Sequence, residues 1–143
     1  MSDTEHPARA AARRSMELVH AKDREGWLAN FADDAVIEDP IGRSPLCPDG
    51  QGHRGRAAIA KFWDAVIGPN RVLFEIRHSY ACGAECANVG TISTVLPDGS
   101  VSQVDGVFTY RVDAAGKVLA LRAYWEFERM RFFPATPEAA RLP

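Results

Sequence analysis

The chain has few cysteines, no long apolar run and no surplus of charge of either sign, and each shortage excludes a class of function. Cys47, Cys82 and Cys86 are odd in number and badly spaced for a disulfide framework, which points to a reducing compartment. No segment approaches the roughly 20 apolar residues that cross a bilayer. The opening run MSDTEHPARAAARRS is polar and lacks the apolar centre of a secretory signal. A cytoplasmic protein is therefore expected. Net charge is −2, and Lys and Arg form no run longer than Arg13-Arg14, so neither nucleic acid nor an anionic membrane is implied as a partner.

Metal and nucleotide chemistry are equally poorly provided for. His78, Cys82 and Cys86 approach a metal-ligand spacing but have no fourth ligand nearby, so the cysteines read as small buried thiols. The segment Gly50-Gln51-Gly52-His53-Arg54-Gly55 lacks the preceding strand of a phosphate-binding loop and reads as a flexible loop bordering the turn at Pro40. His53 falls in that loop. No metal, nucleotide, flavin or other cofactor is expected.

What is present suits one globular domain spanning residues 1–143. At 46% hydrophobic and 25% charged residues the composition is ordinary, and a chain of this length buries about two-thirds of its unfolded surface. From Pro7 to Ala21, Ala11, Ser15, Leu18 and Val19 share one helical face. Asp23 suits the N-cap of a short second helix whose buried stripe is Trp27, Leu28 and Phe31. Ala35 to Asp39 reads as a strand, and Arg43 to Gly55 as a loop. Arg56 to Ile67 reads as a third helix with Ile59, Phe62, Trp63 and Val66 inward, stopped by Gly68-Pro69-Asn70.

The second half changes to a period of two. Strands are expected from about Val72 to Ser79, Ala87 to Leu96, Val101 to Val112 and Lys117 to about Glu128, with turns at Pro97-Asp98-Gly99 and Asp113 to Gly116. Tight turns between long strands imply an antiparallel meander. Helices followed by such a sheet give an α+β domain with a curved antiparallel sheet closed by three helices around a conical cavity. On the two last strands the more apolar faces are Val104, Gly106, Phe108, Tyr110, Val112 and Leu119, Leu121, Ala123, Trp125, Phe127, which are assigned to the interior. Together with Ser15, Val19 and Trp63 they make Phe108, Tyr110, Leu121, Ala123 and Trp125 candidate ligand contacts. Ser15, polar on an apolar face, either bonds a carbonyl one turn earlier or points into the cavity.

One carboxylate stands out. In FADDAVIEDPIG, Asp39 ends a strand among apolar neighbours before Pro40. Asp commonly caps such a turn. In an apolar cleft its pKa rises and it becomes a usable proton acceptor.

The run AKDREGWLANFADDAVIEDPIG resembles the amino-terminal signature of ketosteroid isomerases, in the nuclear transport factor 2-like (SnoaL-like) superfamily. GRAAIAKFW and AAGKVLALRAYW resemble the third helix and last hairpin of the same family, so the likeness runs from about Ser15 to Trp125. The resemblance implies a cone-shaped curved antiparallel sheet wrapped by three helices around an apolar pocket, usually in a homodimer. It implies Asp39 as general base. This family is itself the worked case of an Asp base beside an oxyanion hole of Tyr and protonated Asp.

Those two donor positions fall on Ser15 and Phe108, and a supporting Tyr falls on Trp63. Asp105 lies three residues before Phe108, and only a bulge turns it inward to donate. Loss of one such donor typically costs about 10²–10³ in rate. The expected function is a ketosteroid isomerase-like protein that binds a steroid or similar polycyclic ketone, with weak proton transfer by Asp39. The alternative is a non-catalytic binding protein for steroid-like or phenolic small molecules. Limonene-epoxide hydrolases are similar around GVFTYRVDAAGKVLALRAYW, but Ala123 stands where that group carries an Asp.

Overall fold

The computed structural model describes residues 5–135. Helix α1 (Pro7–His20) begins at His6, whose ring nitrogen accepts from the Ala8 amide, with Pro7 in the first turn. Its buried face is Ala8, Ala11, Ala12, Ser15 and Val19, small residues that let the helix lie close on the sheet. Asp23 caps α2 (Arg24–Ala29) through a 2.9 Å hydrogen bond from the Gly26 amide. Phe31 then opens strand β1 (Phe31–Glu38) instead of closing the helix, so this strand is longer than the sequence pattern suggests.

The segment read as a flexible loop is tied down. Ser44 and Cys47 form a bridge, the Gly52 amide donates to Cys47 Sγ, and His53–Arg54 form β2 against β1. Helix α3 (Arg56–Phe62) continues as a π-helical turn, Trp63–Ile67. Lys22 Nζ then caps that end, donating to the carbonyls of Ile67, Gly68 and Asn70.

Strands β3 (Arg71–Cys82), β4 (Glu85–Val95), β5 (Val101–Val112) and β6 (Val118–Tyr124) form the expected antiparallel meander. The sheet is nonetheless mixed, because β1 joins β6 in parallel. The order is β2-β1-β6-β5-β4-β3, and β7 (Arg131–Phe133) pairs with the start of β5. The last strand is thus broken in two: β6 covers one end of β5 and β7 the other, and Trp125 to Met130 leave the sheet between them. A bulge between Arg111 and Val112 also puts Val118, not Leu119, in the core. Cys86 and Cys47 are buried, whereas Cys82 is exposed, contrary to its reading as a buried thiol. No helix among the described residues is long and apolar enough to cross a membrane.

Curvature has a local cause. Gly90 and Gly106 are cross-strand partners in the middle of β4 and β5. A Cβ on Gly90 would collide with the Glu75 carbonyl, beside the β3 bulge between Ile76 and His78. A Cβ on Gly106 would collide with the Tyr124 carbonyl, where the chain leaves β6. The bare backbone lets the neighbouring strands fold in at that line. Gly106→Ala should therefore destabilise the protein by about 1–3 kcal/mol, as overpacking typically does. An unchanged urea midpoint would show that the sheet bends for another reason.

Candidate functional site

The end of β1 is gripped from both sides. Glu38 pairs with Arg122 at 2.8 Å, and the Ile41 amide donates to the Ala123 carbonyl at 3.0 Å. Successive strand residues point to opposite faces. Glu38 therefore takes the arginine, while Asp39 lines a cavity of about 280 Å³ between α1, the π-helical turn and the curved sheet. The peptide bond between Asp39 and the buried Pro40 is cis.

Asp39 Oδ1 accepts a 2.6 Å hydrogen bond from Trp125 Nε1. The carboxylate keeps some accessible surface but is packed against cavity walls that include Phe74, Phe108 and Leu121. Burial pushes its pKa above the ordinary carboxylate value, and the Trp125 N–H only partly offsets the rise. Facing the same space is Tyr110, buried at 5% exposure. Burial first, and then the Asp39 charge, drive the phenol pKa far up, against a smaller opposing effect of the Ser15 hydroxyl. Ser15 Oγ in turn accepts from Trp27 Nε1 at 3.1 Å.

Of the residues singled out in the sequence, Asp39, Ser15, Val19, Phe108, Tyr110, Leu121 and Trp125 line this one cavity. Trp63 and Ala123 do not. Trp63 is 4% exposed and packs on Trp27 with ring centroids 5.1 Å apart, inside an aromatic core that Phe31 completes. Ala123 is fully buried under the Asp39 turn and backs the other side of the sheet.

Asp105 is a clearer correction. The register of β4 with β5 runs unbroken past it, so no bulge turns it inward. It accepts from Thr91 Oγ1 at 2.6 Å and pairs with Arg131 at 2.7 Å on the outer face. Those partners hold its pKa far below the usual range, so it is an ionised carboxylate and not a protonated donor.

Several further residues line the cavity beyond the candidate ligand contacts. The excursion after β6 brings Phe127 and Met130 over the cavity, beside Leu46 and Leu96. Ala65, Val66 and Ile67 reach it from the π-helical turn. Thr94 and Ser102, cross-strand partners far from Tyr110 along β5, add hydroxyls at the other end. Phe132 and Phe133 lie exposed beyond the excursion, and the tail from residue 136 on lies outside the described residues.

The raised Asp39 pKa has a consequence for stability. A carboxyl whose folded pKa lies above its unfolded value favours the fold when protonated, and that contribution is lost as pH rises through the folded value. Asp39→Asn removes the charge and keeps an oxygen for Trp125. The variant should be more stable than wild type at neutral pH, with the advantage shrinking as pH falls below the raised pKa. Urea unfolding at pH 4 and pH 7 measures this, and a pH-independent difference would contradict it.

The SnoaL-like domain model matches residues 12–121. The chain is 31% identical over 129 residues to a steroid Delta-isomerase of Nocardioides simplex, covering 89% of this chain and 96% of that protein. A Delta 5-3-ketosteroid isomerase from Mycobacterium sp. superposes with a TM-score of 0.87 at 46% identity, covering 90% of this chain and 99% of that one. A Mycobacterium tuberculosis protein, solved in complex with estradiol-17beta-hemisuccinate, gives 0.86 at 42% identity, with 90% and 100% covered. Fold, cavity and sequence likeness agree along most of the chain, which belongs to the SnoaL-like family, of the nuclear transport factor 2-like fold, beside the steroid Delta-isomerases.

Proposed function

We propose that the cavity binds a steroid or comparable polycyclic ketone and that Asp39 carries a proton between two of its carbons. The observation that carries this reading is a carboxylate with a raised pKa in an apolar cavity, with an indole N–H as its hydrogen-bond donor. Such a group is basic enough to take a proton from carbon and is already partly stripped of water. At about 280 Å³ the cavity is just below the roughly 300–1,000 Å³ usual for small-molecule sites, which suits one compact polycycle. Polar groups stand at its two ends, Asp39 and Tyr110 at one and Thr94 and Ser102 at the other, with apolar walls between. A flat ligand with an oxygen at each end matches that pattern.

In the proposed reaction ionised Asp39 removes a proton from the carbon between the carbonyl and an isolated C=C bond. The electron pair passes into a dienolate. Asp39 then returns the same proton to the far carbon of the dienolate, leaving the double bond conjugated. Nothing is oxidised or reduced overall, so no redox cofactor is required. A homodimer belongs to the same reading, with Tyr80 and Tyr124 exposed on β3 and β6 and not among the residues that line the cavity.

A second reading, binding without turnover, draws on Phe108 and Ser15. Phe108 offers no polar atom at a place where the resemblance calls for a donor. One experiment separates the two. Isomerisation of a β,γ-unsaturated 3-ketosteroid, followed by the ultraviolet absorbance of its conjugated product, should show kcat/KM rising with pH through the raised Asp39 pKa. Asp39→Asn should lose about 10²–10⁴ in rate, the usual span for a general base, while the steroid still raises its Tm. Turnover that survives in the variant would remove Asp39 from the mechanism. Binding without any wild-type turnover would favour the second reading.

A further inference from the structure

We propose that Asn70, Thr94 and Ser102 form a polar subsite at the end of the cavity away from Asp39, and that it selects a hydroxyl over a carbonyl on the far end of the ligand. This rests on the ketone-site reading above and narrows its substrate class to hydroxy-ketones, with the ketone near Asp39 and the hydroxyl at Asn70.

The sheet brings the three residues together. Val72, Thr94 and Ser102 are cross-strand partners in one row across β3, β4 and β5. Directly opposed residues such as Thr94 and Ser102 have Cβ atoms about 4.5–5.5 Å apart. Asn70 stands two residues before Val72, and all four line the cavity. Along β5 the inward positions between Ser102 and Tyr110 are Val104, Gly106 and Phe108, so no polar side chain intervenes.

Asn70 is held so that its amide points one way. Its backbone N–H donates to the Ile67 carbonyl at 3.2 Å, and its backbone carbonyl accepts from Lys22 Nζ. Its side-chain Nδ2 donates to the Val66 carbonyl at 2.7 Å. A carbonyl can only accept, so nitrogen must face Val66 and Oδ1 is left as an acceptor. Among the described residues Oδ1 has no hydrogen-bond partner, and neither have Thr94 Oγ1 and Ser102 Oγ.

The two hydroxyls can donate or accept, so they suit either kind of ligand oxygen. Oδ1 decides between them. A ligand hydroxyl gives its proton to Oδ1 and takes one from Thr94 or Ser102. A ligand carbonyl accepts from the same hydroxyls, but it displaces water from Oδ1 and leaves it unpaired. A site built to bond an O–H discriminates against the analogue that lacks it for this reason.

Testosterone and androstenedione share their rings and conjugated ketone and differ only in the far oxygen, a hydroxyl in the first and a carbonyl in the second. Titration calorimetry on the full chain should give testosterone the lower Kd by about tenfold, the effect of one unsatisfied acceptor. In Asn70→Leu, which keeps the size of the side chain, that preference should disappear, and Asn70→Ala reads the same difference should the leucine variant fail to fold. Thr94→Val should weaken both steroids, since its hydroxyl serves either oxygen. Equal wild-type Kd values, with both steroids bound, overturn the subsite and leave the ketone site standing. A preference that persists unchanged without Asn70 overturns it as well. Failure of both steroids to bind the wild-type protein overturns the ketone-site reading and the subsite together.

Discussion

An ionisable carboxylate kept in apolar surroundings without a cation is the constraint on which the structure turns. Burial and one indole hydrogen bond set the Asp39 pKa. A guanidinium at hydrogen-bonding distance would cancel the rise and with it the basicity. The chain has such a group close by in Arg122, and the alternation of β1 disposes of it: Glu38, facing outward, takes Arg122, and Asp39, facing inward, does not. The adjacent acids in this turn therefore have separate tasks, one anchoring β1 to β6 and the other standing in the cavity.

That cavity exists because the sheet bends and the chain doubles over it. The paired glycines of β4 and β5 remove the side chains that would hold neighbouring strands apart. The bend frees Trp125 to Met130 from the sheet, and these residues become both wall and hydrogen-bond donor. Small residues on α1 bring that helix near enough for Ser15 to meet the strands. Sheet curvature and the Asp39 environment are thus linked, since a Cβ on Gly106 would crowd Trp125, the residue that donates to the carboxylate.

Most of the fold was legible because its periods are clean. Helix α1, the Asp23 cap and strand β5 lie where patterning puts them. The break in the last strand was not, because Leu121, Ala123, Trp125 and Phe127 keep alternating through it with no turn residue to mark the exit. The π-helical turn is invisible for a similar reason: Trp63 and Val66 satisfy helical spacing, yet widening the turn leaves Val66 at the cavity and Trp63 in the core. Asp39 was legible through its neighbours. Asp105 misled because proximity in sequence says nothing about Arg131, which reaches it from a distant strand. Ser15 showed as an anomaly, but its partner Trp27 sits on a different helix and only packing joins them.

The two polar groups Asp39 and Tyr110 also bear on which ligands would suit the proposed site. A ketone can only accept, so in the proposed site it would leave ionised Asp39 without a new partner. In the proposed reaction that carboxylate gains an interaction only as a proton begins to leave carbon, at the moment when charge appears on the ketone oxygen. Interactions that strengthen on the way to the transition state lower the barrier, whereas those present from the start only tighten binding. A phenol differs, because its O–H can satisfy Asp39 at once and its oxygen can accept from Tyr110. On the proposed reading phenols would settle as tight ligands and ketones as reactants.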